Sequence, residues 1–301
     1  MSEIGVVHLV WARLGVEPFR RFLASYESRR SGAAHRLLVV FNGFGGEAEL
    51  AAYRALLGGL DCRTLFLPRP VQDIPAYFAA VRAFPYEHFC FLNSHSILLC
   101  DDWLGKLRGH LRAGIGAVGA TGTYESLHTR ALAVHNVTPF TYARDTLGRL
   151  RRGLRPFPAA PYWKEWRLLR LYRRHFPPFP NPHLRTNAFL MARELLLRLR
   201  VGRIESKEDA MKFESGNQGL TRQLAAMKLR ALVVGRDGRA YEKESWRESH
   251  TFRSGEQENL LVSDNRTREY QSADPATRAE LYEATWAGRH ARSAGAPDEE
   301  R

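Results

Sequence analysis

The sequence of 301 residues has few cysteines and no long apolar segment. Its cysteines, Cys62, Cys90 and Cys100, are odd in number and form no CxxC pair, which argues against a disulfide framework or a zinc site. We expect buried, reduced thiols. No apolar run reaches the roughly 18 residues of a membrane-spanning helix. The N-terminus lacks the basic start and cleavage site of a signal peptide, so we expect a cytoplasmic protein.

Several motifs of nucleotide-binding and hydrolytic enzymes are also missing. The sequence has no GxxxxGK[ST], which excludes a P-loop ATPase, and no GxGxxG after the first predicted strand, which argues against a dinucleotide site. It has no GxSxG, no HExxH and no protein-kinase signature. The glycine-rich stretch 42–46 lacks a lysine and by itself predicts only a loop after a strand.

Acidic residues are in deficit. The formal net charge is +13, which indicates an anionic partner such as a nucleotide diphosphate, acidic lipid or nucleic acid. The excess is concentrated, because eight basic residues and one acidic residue lie between Arg151 and Arg174.

The first part of the chain alternates strand and helix patterns, which predicts an α/β fold. The predicted strands are 4–10, 36–41, 63–67, 88–92 and 115–120, and the predicted helices are 17–30, 47–58, 74–84 and 102–112.

The alternation stops at residue 124, where a stretch rich in arginine, proline and aromatic residues begins. We interpret 124–180 as an insertion that ends in the stiff segment FPPFPNP. Strand and helix signals resume over 187–200, with a helix over 208–228 and a last strand over 230–234. The resulting division is 1–123, 124–180, 181–287 and a disordered tail over 288–301.

Polar residues follow two of the predicted strands. Asn42 ends the second strand, and Asn93, Ser94 and His95 interrupt the apolar run that begins at 88. Ligands of open α/β sheets bind at the carboxyl ends of strands, so these residues are candidates for binding. A simple turn at a strand end remains the alternative for 93–96.

Four segments resemble the GT-A glycosyltransferases, especially the large inverting family-2 type. They are FRRFLASYESR, RLLVVFNGFGGE, DIPAYFAAVRAFPYEHFCFLNSHS, and RTNAFLMARELL with KFESGNQGLTRQLAAMKLRALVV. The segments FPNPHLRTNAF, FESG, LTRQ and SDNRT also resemble a group of bacterial polysaccharide-biosynthesis proteins. The resemblance implies a Rossmann-like mixed sheet flanked by helices, with a nucleotide-sugar-binding half over 1–123 and an acceptor-side half with a lid over 181–287.

The resemblance implies transfer of a sugar from a nucleotide-diphosphate donor to a glycan or lipid-linked glycan, with inversion. It places the catalytic base at Glu214, before a helix whose amino end would favour the charged carboxylate. Asp209 is the competing catalytic residue, and either carboxylate has the alternative role of a helix cap.

The sequence departs from the family where the family has Asp-x-Asp, because Asn93-Ser94-His95 stands there. The family's carboxylates hold a divalent cation, Mg²⁺ or Mn²⁺, that neutralises the diphosphate. Asn93 and His95 are the candidate ligands, but they bring no negative charge. Either the metal is held partly elsewhere, or basic groups replace it, for which the candidates are His183, Arg185, Arg222 and Arg266.

The remaining donor-side candidates are Asp73, Tyr77 and Asn187, of which the first two lie where the resemblance puts the base and ribose. An N-cap aspartate and a core tyrosine are the structural alternatives. Residues 264–267 form either a lid over the diphosphate or an Asx-turn before a helix.

Residues 161–176 carry tryptophans and arginines at helical spacing, which suits a peripheral contact with the inner membrane face. The alternative is an amphipathic helix packed on the core. We see no nucleic-acid-binding motif and expect no nucleic-acid partner. The second functional hypothesis is a non-catalytic nucleotide-sugar or glycan-binding protein that has lost the metal site.

Overall fold

A computed structural model of the chain describes residues 4–134, 139–156 and 159–290. The chain divides into two compact units. The first contains Met1–Thr123 and Pro182–Asp274, and the second contains Tyr124–Asn181 and Pro275–Arg301.

The first unit is built on a mixed sheet in the order β11-β10-β6-β9-β4-β1-β2-β3, accompanied by the two-stranded ladders β12-β5 and β7-β8. The strands are β1 Ile4–Trp11, β2 His35–Asn42, β3 Cys62–Leu67, β4 His88–Leu92, β5 Ile97–Leu98, β6 Ile115–Gly119, β7 Gly122–Thr123, β8 His183–Leu184, β9 Phe189–Ala192, β10 Arg230–Val234, β11 Ala240–Tyr241 and β12 Val262–Ser263.

Helices flank this sheet and form most of the second unit. They are α1 Glu17–Ser28, α2 Glu47–Leu56, α3 Asp73–Ala83, α4 Trp103–His110, α5 Leu127–Val134, α6 Pro139–Leu150, α7 Ala159–His175, α8 Arg193–Arg198, α9 Lys207–Ser215, α10 Leu220–Ala226, α11 Asn265–Ser272 and α12 Pro275–Trp286. The predicted α/β class, a mixed sheet flanked by helices, is confirmed.

The strand directions determine which loops meet at the sheet edge. β1 pairs in parallel with both β2 and β4, and β6 pairs in parallel with β10. β9 runs antiparallel between β4 and β6, with Phe91 opposite Phe189. The residues just before β9 therefore lie beside the carboxyl end of β4.

The central strands β1, β4 and β9 are mostly apolar, since helices cover both faces of the sheet there. Alternate residues of β4 point to opposite faces. Cys90 and Leu92 join the cluster that contains α1, whereas Phe91 packs on Tyr77 with ring centroids 4.8 Å apart. His8 stacks in the α1 core on Phe22 at 3.5 Å, and burial lowers its pKa to about 3, so the ring is neutral.

Two helix predictions need correction. The predicted helix 208–228 is divided into α9 and α10, and Gly219 stands in the break. A Cβ at Gly219 would lie 2.9 Å from the Glu214 carbonyl oxygen, so the break requires glycine. Asp73 is not an N-cap, because Gln72 has that position and the Asp73 Oδ1 accepts instead from the Ile74 N–H.

The second unit contains α5, α6, α7 and α12. α7 buries Leu169 and exposes Arg167, Arg170 and Arg173, so the predicted amphipathic helix is present. Phe176, which directly follows α7, is also buried. Of the predicted disordered tail over 288–301, residues 291–301 lie outside the described residues.

All three cysteines have free thiols. Cys90 and Cys100 are buried as predicted, whereas the prediction of burial is wrong for Cys62, which is partly exposed. Within the described ranges, no helix combines the length and the apolar character needed to cross a bilayer.

Candidate functional site

The candidate site lies at the carboxyl edge of the parallel strands. From β1 the order continues on one side to β2 and β3 and on the other side to β4. Such a reversal of strand order opens a crevice where open α/β sheets bind their ligands. The turn at 93–96 leaves β4 at this crevice.

Asn93 shapes that turn. Its Oδ1 accepts from the His95 N–H at 2.9 Å and from the Ser96 hydroxyl at 3.2 Å, which is the geometry of an Asx-turn. Ser94 and Ser96 are buried, whereas Asn93 and His95 are partly exposed.

Asn187 joins the turn to two other segments. It is buried just before β9, and its Oδ1 accepts from the Asn93 N–H at 3.0 Å and the Ser96 hydroxyl at 2.8 Å. Its Nδ2 donates to Asp264 Oδ2 at 3.4 Å. One amide thus connects the end of β4, the start of β9 and the start of α11.

Asp264 is a fully buried carboxylate with several partners. Its Oδ1 caps α11 by accepting from the Thr267 N–H at 3.0 Å, and its Oδ2 lies 2.8 Å from Nη2 of Arg185. Burial opposes ionisation, but Arg185 and the Thr267 N–H outweigh it and lower the pKa of Asp264. Arg185 also stacks over the Phe252 ring at 4.4 Å.

Two further carboxyl groups, those of Asp73 and Glu214, lie close enough to repel each other when both are charged. Burial, and then the charge of Glu214, raise the pKa of Asp73 to about 6. Tyr77, one turn after Asp73 on α3, is buried near both groups, and burial raises its pKa well above the ordinary value. No described residue provides a hydrogen-bond partner for its hydroxyl.

The resemblance implied that Glu214 lies at the amino end of a helix. It lies instead in the last turn of α9. Its Oε1 instead accepts from the Thr186 N–H at 2.7 Å. Thr186 precedes Asn187, so two hydrogen bonds and the peptide bond between these residues connect Glu214 to Asn93. The predicted residues Asp73, Tyr77, Asn93, Asn187 and Glu214 therefore belong to one neighbourhood.

The other predicted residues have different surroundings. Asn42 is buried, and its amide both donates to and accepts from the backbone of Val71, which fixes the segment before Asp73. Asp209 belongs to a capping box with Ser206 and pairs with Lys212 at 2.9 Å.

Three further basic candidates complete the predicted set. Arg222 is exposed on α10, Arg266 is exposed and pairs with Glu269, and His183 is buried in β8.

Two residues at this edge escaped the sequence analysis. Arg268 Nη1 donates to the His95 carbonyl at 3.0 Å and to Ser263 Oγ at 3.2 Å. Trp11 ends β1, and the Arg13 guanidinium lies 3.5 Å from its ring centroid. The available signal for Arg268 was its spacing of four residues from Asp264, which brings acid and base to one helical face.

The residues at 93–95 do not form a site for a divalent cation. Hard cations prefer several oxygen ligands with carboxylates among them. Asn93 Oδ1 already accepts two hydrogen bonds, and Asn93-Ser94-His95 contains no carboxylate. Over the described ranges, no group of three or more His, Cys, Asp or Glu side chains is arranged to hold a metal ion.

Several solved structures share part of the fold. The chain matches a mannosyltransferase from Pyrobaculum calidifontis in complex with GDP-Man and Mn²⁺, with 12% identity, 43% of this chain, 40% of that chain and a TM-score of 0.34. It also matches S. aureus TarS 1–349 in complex with UDP-GlcNAc, with 11% identity, 40% of this chain, 34% of that chain and a TM-score of 0.31. A third match is GalNAc-T7 with UDP, GalNAc and Mn²⁺, with 13% identity, 41% of this chain, 24% of that chain and a TM-score of 0.32.

The chain spans less than half the length of these structures. No protein-family model and no curated protein matches it.

Proposed function

We propose that this protein is a glycosyltransferase that moves a sugar from a nucleoside-diphosphate donor to a hydroxyl of a glycan or lipid-linked glycan. The observation that carries the proposal is the connection of Glu214, through Thr186 and Asn187, to the hydrogen-bonded turn at 93–96. The Asp73 carboxyl is close enough to Glu214 to be affected by its charge. The turn lies at the sheet edge where open α/β sheets bind their ligands. The resemblance of four sequence segments to glycosyltransferases supports the same assignment.

Glu214 is the proposed general base. The acceptor oxygen attacks the anomeric carbon, a new C–O bond forms, and the bond from that carbon to the diphosphate oxygen breaks. The electron pair of the broken bond leaves with the diphosphate, and the acceptor proton passes to Glu214. The Thr186 N–H engages Oε1, so Oε2 is the oxygen that takes the proton.

Asp73 is the proposed donor-side carboxyl. With a pKa of about 6, it is partly protonated just below neutral pH. The protonated carboxyl group can donate a hydrogen bond to a hydroxyl of the nucleotide sugar. Asn42 supports it by fixing the preceding segment, and Tyr77 supports it by packing α3 on Phe91 of β4.

The test of catalysis is Glu214→Gln. Glutamine keeps an Oε1 that can accept from the Thr186 N–H but cannot act as a base, so transfer or donor hydrolysis should fall about 100-fold or more. Binding of nucleoside diphosphate, measured by calorimetry, should be retained. Glu208→Gln, which changes an exposed carboxylate of the same helix, is the matched control.

The non-catalytic alternative makes a different prediction. A binding protein would hold the nucleotide sugar without turnover, and wild type and Glu214→Gln would leave the donor equally intact. The anomeric configuration of the product, read by NMR, tests the proposed inversion separately.

We also propose peripheral membrane contact by the second unit through 161–176 and the tip segment, defined as 147–155. Trp163 is 50% exposed, and the tip segment presents Leu147, Leu150 and Leu154 at 46–52% exposure. Exposed apolar residues among arginines suit a surface of anionic lipid. A lipid-linked acceptor is the substrate class that such a surface would serve.

A further inference from the structure

We infer that Arg268 neutralises the diphosphate leaving group, so that the enzyme binds its donor and works without a divalent cation. The inference rests on the proposed function and concerns the same sheet edge. It starts from the absence of carboxylates at 93–95, where the resemblance puts the metal ligands.

A basic side chain lies beside the turn at 93–96. Arg268 extends from α11 to the turn after β4, where Nη1 donates to the His95 carbonyl at 3.0 Å. A second bond from Nη1 to Ser263 Oγ, at 3.2 Å, restrains the guanidinium. Nε and Nη2 have no hydrogen-bond partner in the described part of the chain, and the side chain is only partly buried.

The surrounding charges leave a positive excess. Asp264 is neutralised by Arg185 at 2.8 Å and also attracts Arg268. Arg21 of α1 acts on Arg268 as a like charge and carries its own exposed partner, Glu17, at 3.2 Å. Arg268, the charged groups that act on it and their ion-pair partners thus comprise three arginines and two carboxylates, with a net charge of +1.

That charge fits the chemistry of the leaving group. When the anomeric C–O bond breaks, the electron pair moves to the diphosphate oxygen, and negative charge develops there. A guanidinium already fixed by hydrogen bonds stabilises this charge with little rearrangement. Its remaining N–H groups can donate hydrogen bonds to two phosphate oxygens. No proton and no further reactant is needed for this step.

The test measures binding of UDP and GDP by calorimetry, with Mn²⁺ or with EDTA. Wild type should bind one of them equally well under both conditions. Arg268→Ala should weaken that binding at least ~10-fold, because it removes charge-assisted hydrogen bonds. Arg268→Lys should recover part of it. The matched control is Arg29→Ala, which removes the same charge from an exposed position at the end of α1.

The corresponding nucleoside separates a phosphate effect from a disturbed fold. The nucleoside should bind wild type and Arg268→Ala equally well. Weaker nucleoside binding by Arg268→Ala would overturn the proposed contact between Arg268 and the diphosphate. Diphosphate binding that requires Mn²⁺, or that survives Arg268→Ala unchanged, also overturns the inference while leaving the proposed transferase intact. If neither diphosphate binds with or without Mn²⁺, the same measurement is made with ADP and dTDP, and if these also fail to bind, the proposed function and this inference both fail.

Discussion

Asp73 ionises less readily than an ordinary aspartate. Its folded pKa of about 6 lies above the value of an unfolded aspartate, because burial and Glu214 oppose the negative charge. The folded state therefore binds more protons than the unfolded state between about pH 4 and 6, and stability falls as pH rises through that window.

Asp73→Asn should remove this pH-dependent loss. We expect the variant to be more stable than wild type at pH 8, by ~1–2 kcal/mol, with a smaller difference at pH 4.5. Urea denaturation at the two pH values measures the effect. Equal gains at both values would show that packing, and not ionisation, is responsible.

The Arg185–Asp264 pair makes stability depend on pH in the opposite direction to Asp73. The pKa of Asp264 is lowered, so the pair stabilises the fold above the ordinary aspartate pKa and loses that contribution as pH falls through the lower folded pKa.

Arg185→Met should cost about 3–5 kcal/mol in the free energy of unfolding, because it leaves a buried carboxylate without its main partner. Adding Asp264→Asn should restore part of this loss at neutral pH. If the double variant were no more stable than Arg185→Met, uncompensated charge would not be the cause.

Single residues also show where sequence reasoning ends. Asn42, Asn93 and Glu214 were predicted from their positions after strands or from a resemblance, and their hydrogen-bond partners Val71, Ser96 and Thr186 now explain how they are held. Arg268 was missed because its partner, the His95 carbonyl, lies 173 positions away in the sequence, and no local pattern records such a contact.

The strands were more predictable than the helices. β4 and β10 have the predicted bounds, because a strand covered on both faces is apolar at nearly every position, here after a first polar residue. The break between α9 and α10 was missed because the apolar spacing continues across it, and the turn there follows from the close approach of Gly219 to the Glu214 carbonyl. The antiparallel direction of β9 depends on pairing between distant segments and has no local signal.

The start of α9 provides a test at the scale of one element. Ser206 and Asp209 satisfy the first amide groups of the helix reciprocally. Ser206→Ala should reduce the free energy of unfolding by ~1 kcal/mol, measured in urea. Lys207→Ala, at the exposed neighbouring position, is the control and should change stability by less. Equal effects of the two changes would contradict a capping role.

At the scale of the whole molecule, the basic excess predicts selective binding to anionic vesicles. Sedimentation with vesicles of anionic and of neutral lipid should show binding to the anionic lipid only, weakened by salt. Replacing Arg151, Arg152 and Arg155 by alanine should lower the partition coefficient ~100-fold, since each basic residue contributes about 1 kcal/mol.

A control variant with the same total charge distinguishes binding through Arg151, Arg152 and Arg155 from an effect of the net charge of the whole protein. It replaces three exposed arginines of the first unit, Arg29, Arg63 and Arg69, by alanine and should bind almost as wild type does. Equal loss in both triple variants, or equal binding to neutral vesicles, would rule out a dedicated membrane surface.

The position of β9 between β4 and β6 also has a consequence during synthesis. β4 and β6 are complete when the ribosome has made residue 119, but the strand that joins them ends at Ala192. Until then both strands keep unpaired backbone groups on facing edges, which other chains can pair with. A nascent chain of this protein therefore passes through a vulnerable interval, during which a chaperone that shields bare strand edges would raise the yield of native protein.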